Sequence, residues 1–344
     1  MMKKKIFALL LALVMLLGLA ACGGGNNNAP SGGNNGSAGG DTGGSPSGGS
    51  SGAELTFTTG SDQGTYYSFG SVLAGQISDR TSTAVTAIVG KGSKANIEAM
   101  DVGDAQLGFV QSDVMVYAFN GERTFAETGA STGFSTVANL YMEQVQIVTV
   151  DPSIKTVDDL KGKRVSIGAP GSGVFYNAVD VLGIYGLDVE KDITPTYQNF
   201  NDSAEALKDA QIDAAFVVAG APTVAVTDLA SAREISLVSL DQEHIDALIA
   251  SSPYYSANTI SAETYNLAED TTTVAVGAVV IARNDVSEAD VYNFLYGTFE
   301  DIANLSHGKA AELDLDFAAS VTAVPYHPGA VAYFADKGIT VPGK

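Results

Sequence analysis

From residue 55 onwards, short runs of strand length rich in Val, Ile and Phe alternate with segments of helical spacing, and this alternation restricts the fold more than any other feature. The strand-like runs cover 55–59, 85–89, 107–110, 145–150, 165–168, 214–218 and 274–282. Between them, Ala204, Leu207 and Ala210, or Val291, Leu295, Phe299 and Ile302, recur at the spacing of one helix face. Strand, helix, strand in repetition predicts an α/β fold with largely parallel sheets.

Asp151-Pro152 follows an apolar run and precedes Thr156-Val157-Asp158-Asp159-Leu160, a helix start in which Thr156 and Asp159 have capping-box spacing. A second unit therefore opens near residue 150 and closes near 275, where the run 274–282 returns. This divides the chain into lobe I, residues 53–150 plus 276–344, and lobe II, residues 151–275, with a hinge where extended strands cross between them. On pattern alone the alternative is a single continuous sheet with decorations.

The first 52 residues do not belong to that pattern. Lys3, Lys4 and Lys5 precede an uncharged apolar run from Ile6 to Ala21, too short for the ~20 residues of a membrane span, which reads as a signal peptide over 1–21. Leu19-Ala20-Ala21-Cys22 resembles the lipobox of bacterial lipoproteins, so Cys22 is expected to be the lipidated first residue of the mature chain. It is the one cysteine of the sequence, so with its thiol acylated no disulfide, cysteine nucleophile or thiolate metal site is left. Residues 22–52, almost wholly Gly, Ser and Asn after the cysteine, cannot bury a core and make a leash spanning roughly 30 Å. An extracytoplasmic protein held to the membrane by its lipid is the expectation. With 18 basic and 39 acidic residues and a net charge of −21, nucleic acid is not an expected partner.

Three segments share one design, a strand, a Gly-rich turn with hydroxyl side chains, and a helix: Thr58 to Ser68, Gly90 to Asn96, and Gly168 to Tyr176. Such turns leave the first N–H groups of a helix unsatisfied at the strand ends, where the helix dipole also favours negative charge. Ser93 and Ser172 add hydroxyl donors. A fourth cluster ends a buried-looking strand at Gln111 and Ser112, the position where ligands sit in open α/β sheets. Neither the P-loop nor the dinucleotide fingerprint fits these glycines. The histidines, His244, His307 and His327, form no metal-ligand pair and adjoin no evident nucleophile; no cofactor, metal or enzymatic chemistry is expected.

These residues resemble the TRAP-associated extracytoplasmic immunogenic (TAXI) solute receptors of TRAP transporters. Gly60-Ser61-Asp62-Gln63-Gly64-Thr65-Tyr66-Tyr67 stands where that family opens, Gly103 to Asp113 matches its Gly-x-Ala-Asp-Leu-Gly-Ile-Val-Gln-Ser-Asp, and Thr156 to Gly173 and Leu207 to Pro222 match its central motifs, with His327-Pro328-Gly329-Ala330 near the end. The resemblance implies a two-lobed periplasmic-binding-protein fold of type II style with mixed sheets, expected as a monomer, that closes on a small carboxylate of the glutamate, glutamine or 2-oxoglutarate class and delivers it to a TRAP permease. A ligand-sensing lipoprotein or an ABC-type binding protein of the same fold is the alternative. Cleft residues carried over by motif are Gly64, Tyr66, Tyr67, Ser93, Gln111, Ser112, Gly171, Ser172, Gly173 and Ala221. The chain departs from the family at Ser61-Asp62, where relatives often have glycine and where an aspartate disfavours an anion.

Overall fold

In the computed structural model, which describes residues 52 and 54–343, ten strands form one mixed sheet. They are β1 (Leu55–Thr58), β2 (Val85–Ile88), β3 (Leu107–Gln111), β4 (Phe134–Thr149), β5 (Arg164–Ser166), β6 (Thr194–Thr196), β7 (Ala214–Ala219), β8 (Ser236–Leu237), β9 (Ser256–Ile260) and β10 (Thr271–Arg283). The helices are α1 (Thr65–Arg80), α2 (Ser93–Asp101), α3 (Ser112–Asn120), α4 (Val174–Ile184), α5 (Phe200–Lys208), α6 (Val224–Ala232), α7 (Gln242–Ser251), α8 (Glu288–Phe299), α9 (Leu315–Ala318) and α10 (Pro328–Asp336). The expected signal peptide, the expected lipidation site Cys22 and nearly all of the expected leash lie outside the described residues.

The strand order is β2-β1-β3-β10-β4-β7-β5-β6, with β8 paired to β4 and β9 to β10. β1, β2 and β3 are parallel, as are β5, β6 and β7, whereas β4 and β10 run antiparallel to each other and to the strands flanking them. Hydrogen bonding is thus continuous from edge to edge, but the core is not. Val137, Ala138, Leu140 and Tyr141 of β4 and Ala278 to Ala282 of β10 pack with β1, β3, α1 and α8 in one apolar cluster. Val145, Ile147, Val274 and Val276, on the same two strands, pack instead with β5, α4 and α7. A third cluster joins Val148 to α5, α6 and β7. The two shared strands therefore pass from one core to the other between Tyr141 and Val145 and around Gly277, and the stretch between, Met142 to Gln144, belongs to neither.

Local chemistry explains most element ends. All five residues of β3 are buried, as a strand covered on both faces requires. Ser287 caps α8 by accepting from Asp290 N at 3.1 Å, and Val291, Leu295 and Phe299 form its buried stripe. Ile302, expected on that face, begins a separate 3₁₀ turn, Ile302–Asn304. Thr156 and Asp159 do form a reciprocal capping box, but the element they cap is a single 3₁₀ turn, Val157–Leu160, because Gly162 at φ +76° turns the chain into β5. β4 begins well before residue 145; the buried Ser135, Thr136 and Asn139 interrupt its apolar pattern.

Candidate functional site

A cavity of about 550 Å³ lies where the two cores meet, and four helices begin at its wall. The N-caps of α1, α2, α4 and α5 are Gly64, Gly92, Gly173 and Asn199, all four on the lining. The first three receive no side-chain cap, so their leading N–H groups are left for other acceptors. The arrangement follows from the sequence: each strand of a βα unit ends at the same edge, and the Gly-rich turn starts the helix there.

Gln111 ends β3 at the centre of this wall. Its backbone N donates to Ser93 Oγ at 3.0 Å, and its Nε2 donates to Asn177 Oδ1 of α4 at 3.0 Å, which ties the two sides of the cavity together. Its Oε1 is buried and has no partner; neither do Ser61 Oγ and Ser172 Oγ, which line the same cavity. Further bonds close the two walls on each other: Ala95 N donates to Gly171 O at 3.0 Å, Thr65 Oγ1 to Gly220 O at 2.7 Å, and Arg123 Nη2 to both oxygens of Asp180 at 2.8 and 3.0 Å.

At the floor, on the part of β4 between the cores, Glu143 is 2% exposed and accepts a 2.6 Å hydrogen bond from Tyr66 OH. Burial pushes the Glu143 carboxyl well above the usual carboxylate range, and burial together with the Glu143 charge pushes the Tyr66 phenol up. Tyr66 is held by stacking on Phe109, with ring centroids 4.6 Å apart. The other charged lining groups, Asp62, Lys91 and Asp202, are exposed at the rim.

Of the residues proposed from sequence, Gly64, Tyr66, Ser93, Gln111, Ser172 and Gly173 stand on this wall. Tyr67 does not, because the helix turns its side chain away from the face that carries Tyr66. Gly171 lies in a neighbouring hollow beside Lys94 and Tyr176, its carbonyl bound to Ala95. Ala221 is set back from the lining and donates its N–H to Gln144 Oε1 at 2.9 Å. Ser112 is off this lining: its Oγ accepts from Gly277 N at 3.0 Å and so satisfies a buried backbone donor on β10. Ser112→Ala is expected to lower folding stability by about 1–3 kcal/mol, seen as a shifted denaturant midpoint with unchanged slope.

Glu143, Tyr197 and Phe200 are lining residues that no sequence motif singled out, whereas Lys91 lies in the Gly-rich turn before α2. The histidines lie off the wall; His327 Nδ1 accepts from Gly329 N at the start of α10, and His307 Nδ1 accepts from Lys309 N. Among the described residues no three His, Cys, Asp or Glu side chains gather as a metal site, and no helix is long and apolar enough to cross a membrane.

The fold recurs among solved structures. A structure described as a periplasmic transporter superposes with a TM-score of 0.50 at 13% identity, covering 77% of this chain and 87% of that one. The alkanesulfonate-binding protein SsuA from Xanthomonas axonopodis pv. citri, bound to MOPS, gives 0.46 at 17% identity over 82% and 83% of the two chains. A putative L-cystine ABC transporter from Listeria monocytogenes gives 0.46 at 14% over 78% and 96%. The architecture is that of the two-lobed periplasmic binding proteins. The model of the NMT1-like family matches residues 57–338, from β1 to the end of the C-terminal helical segment, and the chain belongs to that family.

Proposed function

We propose that this protein is an extracytoplasmic solute receptor, tethered through Cys22, whose lobes 53–150 plus 276–344 and 151–275 close on a small carboxylate and present it to a membrane permease. One observation carries the reading: three uncapped helix N-termini and three buried polar atoms without partners, on Gln111, Ser61 and Ser172, converge on one cavity. Buried polar atoms without partners are costly, and a solute that supplies the missing hydrogen bonds turns that cost into binding energy. The volume suits a small organic molecule, and no nucleophile–base pair on the wall suggests turnover. The motifs that resemble the TAXI receptors support a TRAP permease as the recipient.

Ser172 tests the site. Ser172→Glu places a carboxylate among the N–H groups of α4 and α2, in the position we assign to the solute's own carboxylate. Titration calorimetry of a solute bound by the wild type should show binding lost by at least about a hundredfold, with the melting midpoint little changed. Undiminished affinity would remove this wall from the site.

A further inference from the structure

The floor of the cavity points to something more specific than a carboxylate site. Among the described residues, Glu143 is the one charged lining residue that is buried; the rim adds two carboxylates, Asp62 and Asp202, against a single cation, Lys91. One oxygen of Glu143 is engaged by Tyr66 OH. The charged and titratable groups around it are Tyr66 from α1, Tyr141 on its own strand, Asp113 from α3, and Lys309 with Glu312 from the 3₁₀ segment Gly308–Glu312.

Of these only Lys309 is cationic, and its ammonium is held elsewhere. Lys309 Nζ pairs with Glu312 at 2.5 Å and sits 5.5 Å from the centre of the Tyr141 ring. A buried carboxyl with no committed cation is an unfavourable arrangement that an incoming positive group would relieve. Conversely, a dianionic solute would meet three carboxylates and one lysine, with no arginine on the wall.

We propose that Glu143 determines specificity: the solute carries a protonated amine that pairs with the Glu143 carboxylate at the floor, while its carboxylate meets the helix N-termini above. This rests on the solute-receptor reading and narrows it to amphoteric, amine-bearing carboxylates, against dicarboxylates and oxo-acids. The oxygen of Glu143 not engaged by Tyr66 serves the ammonium, and Tyr66 holds the carboxyl in place.

The test is a set of matched pairs, each an α-amino acid and the 2-oxo acid of the same skeleton, together with plain dicarboxylates, titrated calorimetrically into the purified full chain and into Glu143→Gln. The glutamine keeps the shape and can still accept from Tyr66, but cannot pair with an ammonium. The wild type is expected to prefer the amine member of at least one pair by tenfold or more, and Glu143→Gln to erase that preference while melting no earlier than the wild type. Equal or tighter binding of the oxo-acids or dicarboxylates, or a preference that survives in Glu143→Gln, would overturn the role of Glu143 and leave the receptor reading standing. If no carboxylate of either kind bound the wild type, the receptor reading itself would fall, and this one with it.

Discussion

Replacing Gly173 by alanine is expected to weaken solute binding by about ten- to a hundredfold while leaving the solute-free protein as stable as the wild type. The residue sits at φ −73°, ψ −21°, a backbone conformation any amino acid adopts, so alanine carries no local strain. Its effect comes from across the cavity. A Cβ there would stand 1.7 Å from Gln111 Oε1, 2.6 Å from Gln111 Cδ and 2.9 Å from Ser93 Oγ. The Gln111 side chain would have to swing away, giving up its bond to Asn177 and its place on the wall. Overpacking of this kind costs about 1–3 kcal/mol, and each 1.4 kcal/mol is a factor of ten in affinity. Under the proposed lobe closure the clash arises only when the walls meet, and an open form avoids it. Calorimetry on Gly173→Ala beside a melt without solute separates the two effects; equal losses in both would mean that Gly173 serves folding and not closure.

The second large effect is a pH dependence set by Asp113. This side chain is fully buried at the start of α3, where Asn177 Nδ2 of α4 donates to its Oδ2 at 3.1 Å and its Oδ1 has no partner. Burial raises its pKa to about 7; the N–H of Val114 opposes the rise, and the nearby Asp180 charge adds to it. Tyr117, Tyr254, Tyr255, Glu143 and Arg123 also surround it, with Arg123 bound to Asp180. The sign comes from linkage. The folded form holds the proton more tightly than an exposed aspartate, so Asp113's favourable contribution is fully present below about pH 4 and is lost as pH rises to about 7. The loss is on the order of a few kcal/mol. Asp113→Asn removes the titration, and its melting midpoint should exceed that of the wild type by several degrees at pH 8, with the gap closing towards pH 4. Parallel midpoints from pH 4 to pH 8 would show that Asp113 is not desolvated in the native state.

What the sequence made legible depends on how local each feature is. β3 and the turn after it read clearly, since an unbroken apolar run gives way to Gln111-Ser112-Asp113 within a few residues, and the Gly-rich starts of α1, α2 and α4 announce themselves in the same way. That these starts share one cavity depends on which strand edges adjoin, which the strand order supplies. Ser112 shares the strand-end position of its neighbour Gln111, but its hydroxyl accepts from a backbone N–H 165 residues later, on a strand whose register no local pattern reveals. Glu143 carries no local signature for a related reason. It lies in Met142 to Gln144, where β4 passes between two cores and its apolar pattern lapses. The sequence pattern leaves a single continuous sheet only as the alternative to separate lobes, because β4 and β10 each serve both cores, and the pattern does not disclose that their strands pair without a break.

The claim on which everything else depends is that the cavity takes up a small solute. A dye-monitored melt of the purified protein against amino acids, dicarboxylates and oxo-acids addresses it most directly, since the chain has no tryptophan to report binding by itself. A solute at ~1,000 times its dissociation constant adds about 4 kcal/mol to the stability of the form that binds it. The account predicts a saturable rise of several degrees for one chemical class, abolished in Ser172→Glu; midpoints unmoved across the whole panel, in protein shown by native mass spectrometry to carry no bound molecule, would contradict it.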